Sequence, residues 1–126
     1  MIDMQELVTR WSERTGGDDT RPWSEWLDFR EDLMYEELVE FIDALRECDM
    51  AKAAKELGDL LYAVIGSAVR PGIDSNAAFL IVHESNMSKV GPGMRVREDG
   101  KILKPPDYTE PDMAEAITDV RMELVG

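Results

Sequence analysis

With 126 residues the chain has room for one domain and is too short for two ordinary ones, and it carries 27 acidic against 14 basic residues, a formal net charge of -13. That balance argues against DNA or RNA as a large partner and against an anionic membrane surface, since both call for clustered Lys and Arg. A smaller polyanion such as a triphosphate fits only where cations bridge it to the protein. The single cysteine, Cys48, excludes an intrachain disulfide and a Cys-rich zinc site.

The N-terminus lacks the basic start and apolar core of a signal peptide. The longest apolar runs, 60–65 and 77–82, are far short of a membrane span. A single cytoplasmic domain over residues 1–126 is the expectation.

Helix signals dominate the chain from its start. Asp3 with Glu6 reads as a capping pair that opens a first helix to about Arg14. The Gly, Asp and Pro content of 15–22 marks a loop. Ser24 is the expected cap of a second helix to about Glu47, along which Leu27, Met34, Leu38, Phe41, Ile42 and Leu45 recur at three- and four-residue steps. Cys48-Asp49 leaves room only for a tight connection, with Asp49 capping a third helix that ends before Pro71-Gly72. Asp74 or Ser75 caps a fourth to about Lys89. Gly91-Pro92-Gly93 breaks the pattern, 94–104 reads as a short hairpin around Asp99-Gly100, and Thr109-Glu110-Pro111-Asp112 starts a last helix. The fold class is all-α: a helical bundle with a short C-terminal β-hairpin or extended segment.

Two carboxylate pairs stand out. Glu36-Glu37-Leu38-Val39-Glu40 contains E-E-x-x-E, and Glu56-Leu57-Gly58-Asp59 is E-x-x-D. Residues at i, i+3 share a helix face. If the turn lies at Cys48-Asp49, Glu40 and Glu56 are each roughly eight residues from it and Glu37 and Asp59 roughly eleven, so at about 1.5 Å per residue the pairs come level across antiparallel helices. Clustered carboxylates repel one another without a counter-ion, and hard oxygen ligands suit Mg²⁺, with Mn²⁺ in its place. The competing reading is a pair of solvated acidic helix faces. Glu36 is open between a neighbouring ligand, a supporting residue and plain surface.

These residues resemble the all-α nucleoside triphosphate pyrophosphatases of the MazG type, a group that includes phosphoribosyl-ATP pyrophosphohydrolase and the dimeric dUTPases. His83-Glu84-Ser85-Asn86-Met87-Ser88-Lys89, Asp99-Gly100-Lys101, Lys104-Pro105, Tyr108 and Pro111-Asp112 are similar to the phosphoribosyl-ATP-pyrophosphohydrolase-like branch, common in bacteria and their phages. The resemblance implies cleavage between the α- and β-phosphates, giving a nucleoside monophosphate and pyrophosphate. It implies two or more Mg²⁺ ions held by Glu37, Glu40, Glu56 and Asp59, and water activation by Glu36 or Glu37. It also implies self-association as a dimer or a dimer of dimers. The substrate leans to dGTP or GTP, as in phage MazZ-like relatives, in which case the site of action is the host cytoplasm. Hydrolysis of dUTP or phosphoribosyl-ATP is the alternative within the group, and a non-catalytic acidic interaction module is the alternative outside it.

Supporting residues carry two readings each. Asn86 and Lys89 share a face at the end of the fourth helix, where they orient and neutralise phosphate, or where Lys89 simply meets the helix dipole. Lys101 and Lys104 reach the triphosphate, from this subunit or a neighbour, or keep the hairpin soluble. Tyr108 packs on the base or ribose, or staples the tail to the helices. Arg95 and Arg97 are weaker candidates, Trp23 and Trp26 read as core or interface, and His83 as structural. A di-iron bundle is excluded because it wants two Glu-x-x-His motifs and this chain has one histidine.

Overall fold

The computed structural model describes residues 2–16 and 20–117, most of them in four α-helices: α1 (Met4–Arg14), α2 (Trp23–Arg46), α3 (Met50–Val69) and α4 (Ser75–Ser88). Three open on aspartates. Asp3 accepts from the Glu6 N–H at 3.1 Å, Asp49 from the Lys52 N–H at 3.1 Å, and Asp74 from the Asn76 and Ala77 N–H groups at 3.0 and 3.1 Å. Each satisfies donors that the first helical turn leaves without a partner. The second helix differs from expectation. Pro22, with φ -54, is its N-cap and Ser24 lies inside the first turn. The Pro22 carbonyl already accepts the Trp26 N–H at 3.0 Å, so a fixed φ starts the helix without a side-chain cap.

The link from α2 to α3 is as tight as the sequence requires. Cys48 sits in the left-handed region with φ 58. The Asp49 N–H returns to the Ala44 carbonyl at 3.2 Å and the Cys48 N–H to Leu45 at 3.1 Å, the paired bonds of a Schellman closure. From this turn α2 and α3 run back antiparallel. At the far end Arg30 donates to Ser67 Oγ at 2.9 Å and to the Ala63 carbonyl at 2.8 Å.

Small side chains let these two helices close. Ala44, Ala53 and Ala63 are buried between the helices, with Val8 arriving from α1, which packs against α3. Trp26 is buried too, its ring stacked on Trp23 with centroids 4.9 Å apart, and the buried Arg70 guanidinium lies 5.4 and 5.5 Å from the two rings. Those tryptophans belong to the core, where the rings face a desolvated cation.

The fourth helix stands off from this unit. It buries none of its own residues and meets chiefly the short 3₁₀ turn Ala114–Ala116. Its start is tied to α1 through Gln5, whose Nε2 donates to the Ile73 carbonyl at 2.8 Å while its Oε1 accepts the Ser75 N–H. Asn76 Nδ2 adds a bond to Asp3 Oδ1 at 2.9 Å.

Beyond α4 two expectations change. Around Asp99-Gly100 the chain doubles back through one antiparallel bridge, Val96 to Ile102, and no strand forms among the described residues. With no third strand or helix to cover it, an isolated pair does not extend. The sequence predicts a last helix from 109; among the described residues there only the 3₁₀ turn Ala114–Ala116 forms, and 118–126 lie outside the described residues. No helix among the described residues is long and apolar enough to cross a membrane.

Candidate active site

The α2–α3 register brings carboxylates together. Glu37 from α2 and Glu56 and Asp59 from α3 each offer an oxygen, all within 4.8 Å of one another. Glu40 lies near enough to raise the Glu56 carboxyl, but outside that group of three. Glu36, one residue from Glu37, is exposed and adds its charge to the same field.

Burial decides the character of the cluster. Glu56 is only 8% exposed and Glu37 is half-buried, yet Glu37 Oε2 and Glu56 Oε2 have no hydrogen-bond partner. Desolvation raises the Glu37 carboxyl above its usual range, and the charges of Glu40, Asp59, Glu56 and Glu36 push it further. Glu56 is raised by burial first and by the neighbouring Glu40 carboxyl second, while Lys55 opposes the shift. Lys55 reaches Asp59 Oδ2 at 2.5 Å and Glu56 Oε1 at 3.9 Å, and these acids hold its ammonium above the usual lysine range. Buried carboxylate oxygens without donors, crowded by like charge, call for a cation. An all-oxygen set of this kind fits a hard divalent ion.

A cavity of about 570 Å³ opens from the cluster between α1, α2 and α3. Glu37 and Asp59 form part of its wall; Trp11, Phe29, Leu33 and Tyr62 supply apolar surface, and Arg30, Ser12 and Thr15 supply polar groups. Trp11 is 58% exposed and Tyr62 46%, so their rings are available to a ligand. Apart from the two carboxylates, none of these lining residues stands out in the sequence as a site residue. The signal was periodic: Val8, Trp11, Ser12 and Thr15 on α1, and Asp59, Tyr62, Ala63 and Gly66 on α3, each follow i, i+3, i+4, i+7. A stripe of that kind reads as buried core until a carboxylate is seen at its end.

The downstream residues make contacts of their own. Asn86 Oδ1 accepts from Lys89 Nζ at 3.2 Å, and Tyr108 shares a hydrogen bond with Ser85 at 2.8 Å. Lys89 and Lys104 lie 5.3 and 5.2 Å from the Tyr108 ring, and Lys104 pairs with Glu110 at 2.6 Å. Lys101 is exposed, its N–H bonded to Asp99. Tyr108 therefore staples the tail to α4. No described hydrogen bond or ion pair joins these residues to Glu37, Glu56 or Asp59 within the chain.

The described residues form an all-α scaffold in which carboxylates meet across an antiparallel helix pair. The family model of phosphoribosyl-ATP pyrophosphohydrolase matches residues 4–86, and the chain belongs to that family and to the MazG-like all-α NTP pyrophosphatase superfamily around it. The match spans α1 to α3 and most of α4, ending at Asn86; Lys89, Lys101, Lys104 and Tyr108 lie beyond it. No curated protein matches the chain. The chain is accordingly a pyrophosphohydrolase, a hydrolase of phosphoric anhydrides that acts on nucleotides.

Proposed function

We propose that the chain hydrolyses nucleoside triphosphates between the α- and β-phosphates, with Mg²⁺ as cofactor and Mn²⁺ able to replace it. One observation carries this reading: the two buried, partnerless carboxylate oxygens of Glu37 and Glu56 meet Asp59 at the mouth of an aromatic-lined cavity. Glu37, Glu40, Glu56 and Asp59 are the proposed ligands of two or more ions. A divalent ion bound there supplies charge neutralisation of the phosphates and a lowered pKa for its water.

The chain's own residues do the rest. Glu36 or Glu37 takes the proton of the attacking water, whose oxygen bonds to the α-phosphorus. The bond to the α–β bridging oxygen breaks, and its electron pair leaves on pyrophosphate. Little covalent work falls to the protein, so positioning and electrostatics carry the rate. The base enters the cavity against Trp11 and Tyr62, and the volume lies within the usual range for small-ligand sites. The similarity to phage MazZ-like enzymes favours dGTP or GTP. The family's name favours a second substrate, phosphoribosyl-ATP, cleaved at the same kind of bond, and dUTP is the remaining alternative.

The exposed α4 face, with Phe79, Leu80, Val82 and Met87, supports self-association as a dimer or tetramer. In that assembly Asn86, Lys89, Lys101 or Lys104 would serve a neighbour's triphosphate. The deciding experiment is a panel of triphosphates with Mg²⁺ or Mn²⁺, including dGTP, GTP, dUTP and phosphoribosyl-ATP, read for pyrophosphate against orthophosphate. Pyrophosphate with the monophosphate is expected. Orthophosphate alone sinks α–β cleavage, and no turnover of any nucleotide returns the chain to a non-catalytic module.

A further inference from the structure

The third helix orders the site along its axis. Tyr62, Ala63 and Gly66 line the cavity, Asp59 and Glu56 carry the carboxylates, and Lys55 and then Lys52 lie nearer the α2–α3 turn. Gly66, Ala63, Asp59, Lys55 and Lys52 follow one another at about a helical turn each. A nucleotide with its base in the cavity and its α-phosphate at the carboxylates therefore points its β- and γ-phosphates toward Lys55. This is the end from which pyrophosphate departs.

Lys55 is built for that position. Its side chain is 68% exposed, so its long stem is free to swing. Its ammonium lies on Asp59 Oδ2 at 2.5 Å, with Glu56 Oε1 at 3.9 Å. A divalent ion held by Asp59 Oδ2 competes with the ammonium for that oxygen, so filling the site through it releases Lys55. An i, i+4 pair on an open helix surface holds little on its own, which makes the release easy.

We propose that Lys55 is the residue that binds the leaving pyrophosphate, resting on Asp59 as a tethered counter-ion until cation and substrate arrive. This rests on the α–β cleavage reading above. Two bound states test it by calorimetry, without turnover: wild type, Lys55→Met and Lys55→Arg, each titrated with Mn²⁺ alone and then, Mn²⁺-loaded, with pyrophosphate or with the nucleoside monophosphate. Lys55→Met should weaken pyrophosphate binding about tenfold, the size of one charge-assisted contact. Monophosphate binding should stay within about twofold, and Mn²⁺ should bind more tightly once its competitor is gone. Lys55→Arg should keep most of the pyrophosphate affinity.

Equal loss for both products, or no loss for pyrophosphate, overturns the assignment, as does unchanged Mn²⁺ affinity in Lys55→Met. A wild type that releases no pyrophosphate from any triphosphate overturns the cleavage reading and this proposal with it. A wild type that releases pyrophosphate while Lys55→Met binds it normally overturns Lys55 alone. Thermal melts of the variants confirm that the exposed substitution leaves the fold intact.

Discussion

Arg30 lies so close along α3 that a Cβ on Gly66 would come within 2.6 Å of its Nη2. Gly66 is thus a gap that lets the guanidinium reach the Ala63 carbonyl. Gly66→Ala should move the side chain rather than the helix, because the clash is with its flexible end. The charged hydrogen bond at risk is worth roughly 1.5–3 kcal/mol, against about 1 kcal/mol gained by removing a helical glycine. The expected net is a loss of about 1 kcal/mol, a Tm drop of roughly 3–5 °C, with a raised KM because Arg30 lines the cavity. Calorimetry and steady-state kinetics on one preparation check both.

Glu56→Gln and Asp59→Asn should each lower kcat/KM by more than about a hundredfold, beyond the usual effect of removing a group that only supports a ligand. The fold should persist, since the amides match the carboxylates in shape. Mn²⁺ titration followed by electron paramagnetic resonance should show weakened binding in both. Near-normal turnover in both variants removes these residues from the ligand set.

The raised carboxyls set a pH dependence with a definite sign. Because the folded pKa values of Glu37 and Glu56 lie above the ordinary range, the metal-free folded state binds more protons than the unfolded chain. Their contribution is fully present below the ordinary carboxyl pKa, about 4.3, and is lost as pH rises through the raised values. Asp3 and Asp99 act in the opposite direction: Asn76 and Arg97 lower their pKa values, so their contribution disappears on acidification. Melts of metal-free wild type against Glu56→Gln isolate the cluster. The variant should gain stability relative to wild type as pH rises to neutrality, and Mn²⁺ should erase much of that difference.

The same residues show what a sequence makes legible. Asp3, Asp49 and Asp74 announce their helices because capping is local, a side-chain oxygen against an N–H two or three residues on. The convergence of Glu37, Glu56 and Asp59 was readable because the link at Cys48-Asp49 leaves no slack, so counting outward from it sets the register. Trp11, Phe29 and Tyr62 were not readable as a site. A cavity among three helices depends on how far apart they stand, and its lining stripes look like packing. Asp99-Gly100 shows the reverse error: the turn forms, but local turn chemistry does not supply the neighbours that strands need.

Trp11→Ala should raise KM several-fold with little change in Tm, because the ring is 58% exposed and contributes more to a ligand than to the core. Measuring KM for two or more bases separates stacking from recognition of one base. A Tm loss of core size would instead make Trp11 a packing residue.

Phe79, 77% exposed on a helix that buries nothing of its own, is the probe for association. Phe79→Lys should shift the mass measured by light scattering toward the monomer at low micromolar concentration. If a partner supplies Lys89 or Lys104 to the site, activity should fall along the same dilution curve. An unchanged mass would take α4 out of the interface.

Cys48 has one more consequence. The three-residue link Glu47-Cys48-Asp49 acts as a gauge block for the enzyme: one added residue there, taken up as helix, would turn α3 by about 100° against α2 and slide it about 1.5 Å. Glu56 and Asp59 would then face away from Glu37 while every helix still formed. A single codon inserted at 48 would then leave a folded protein with its chemistry dismantled.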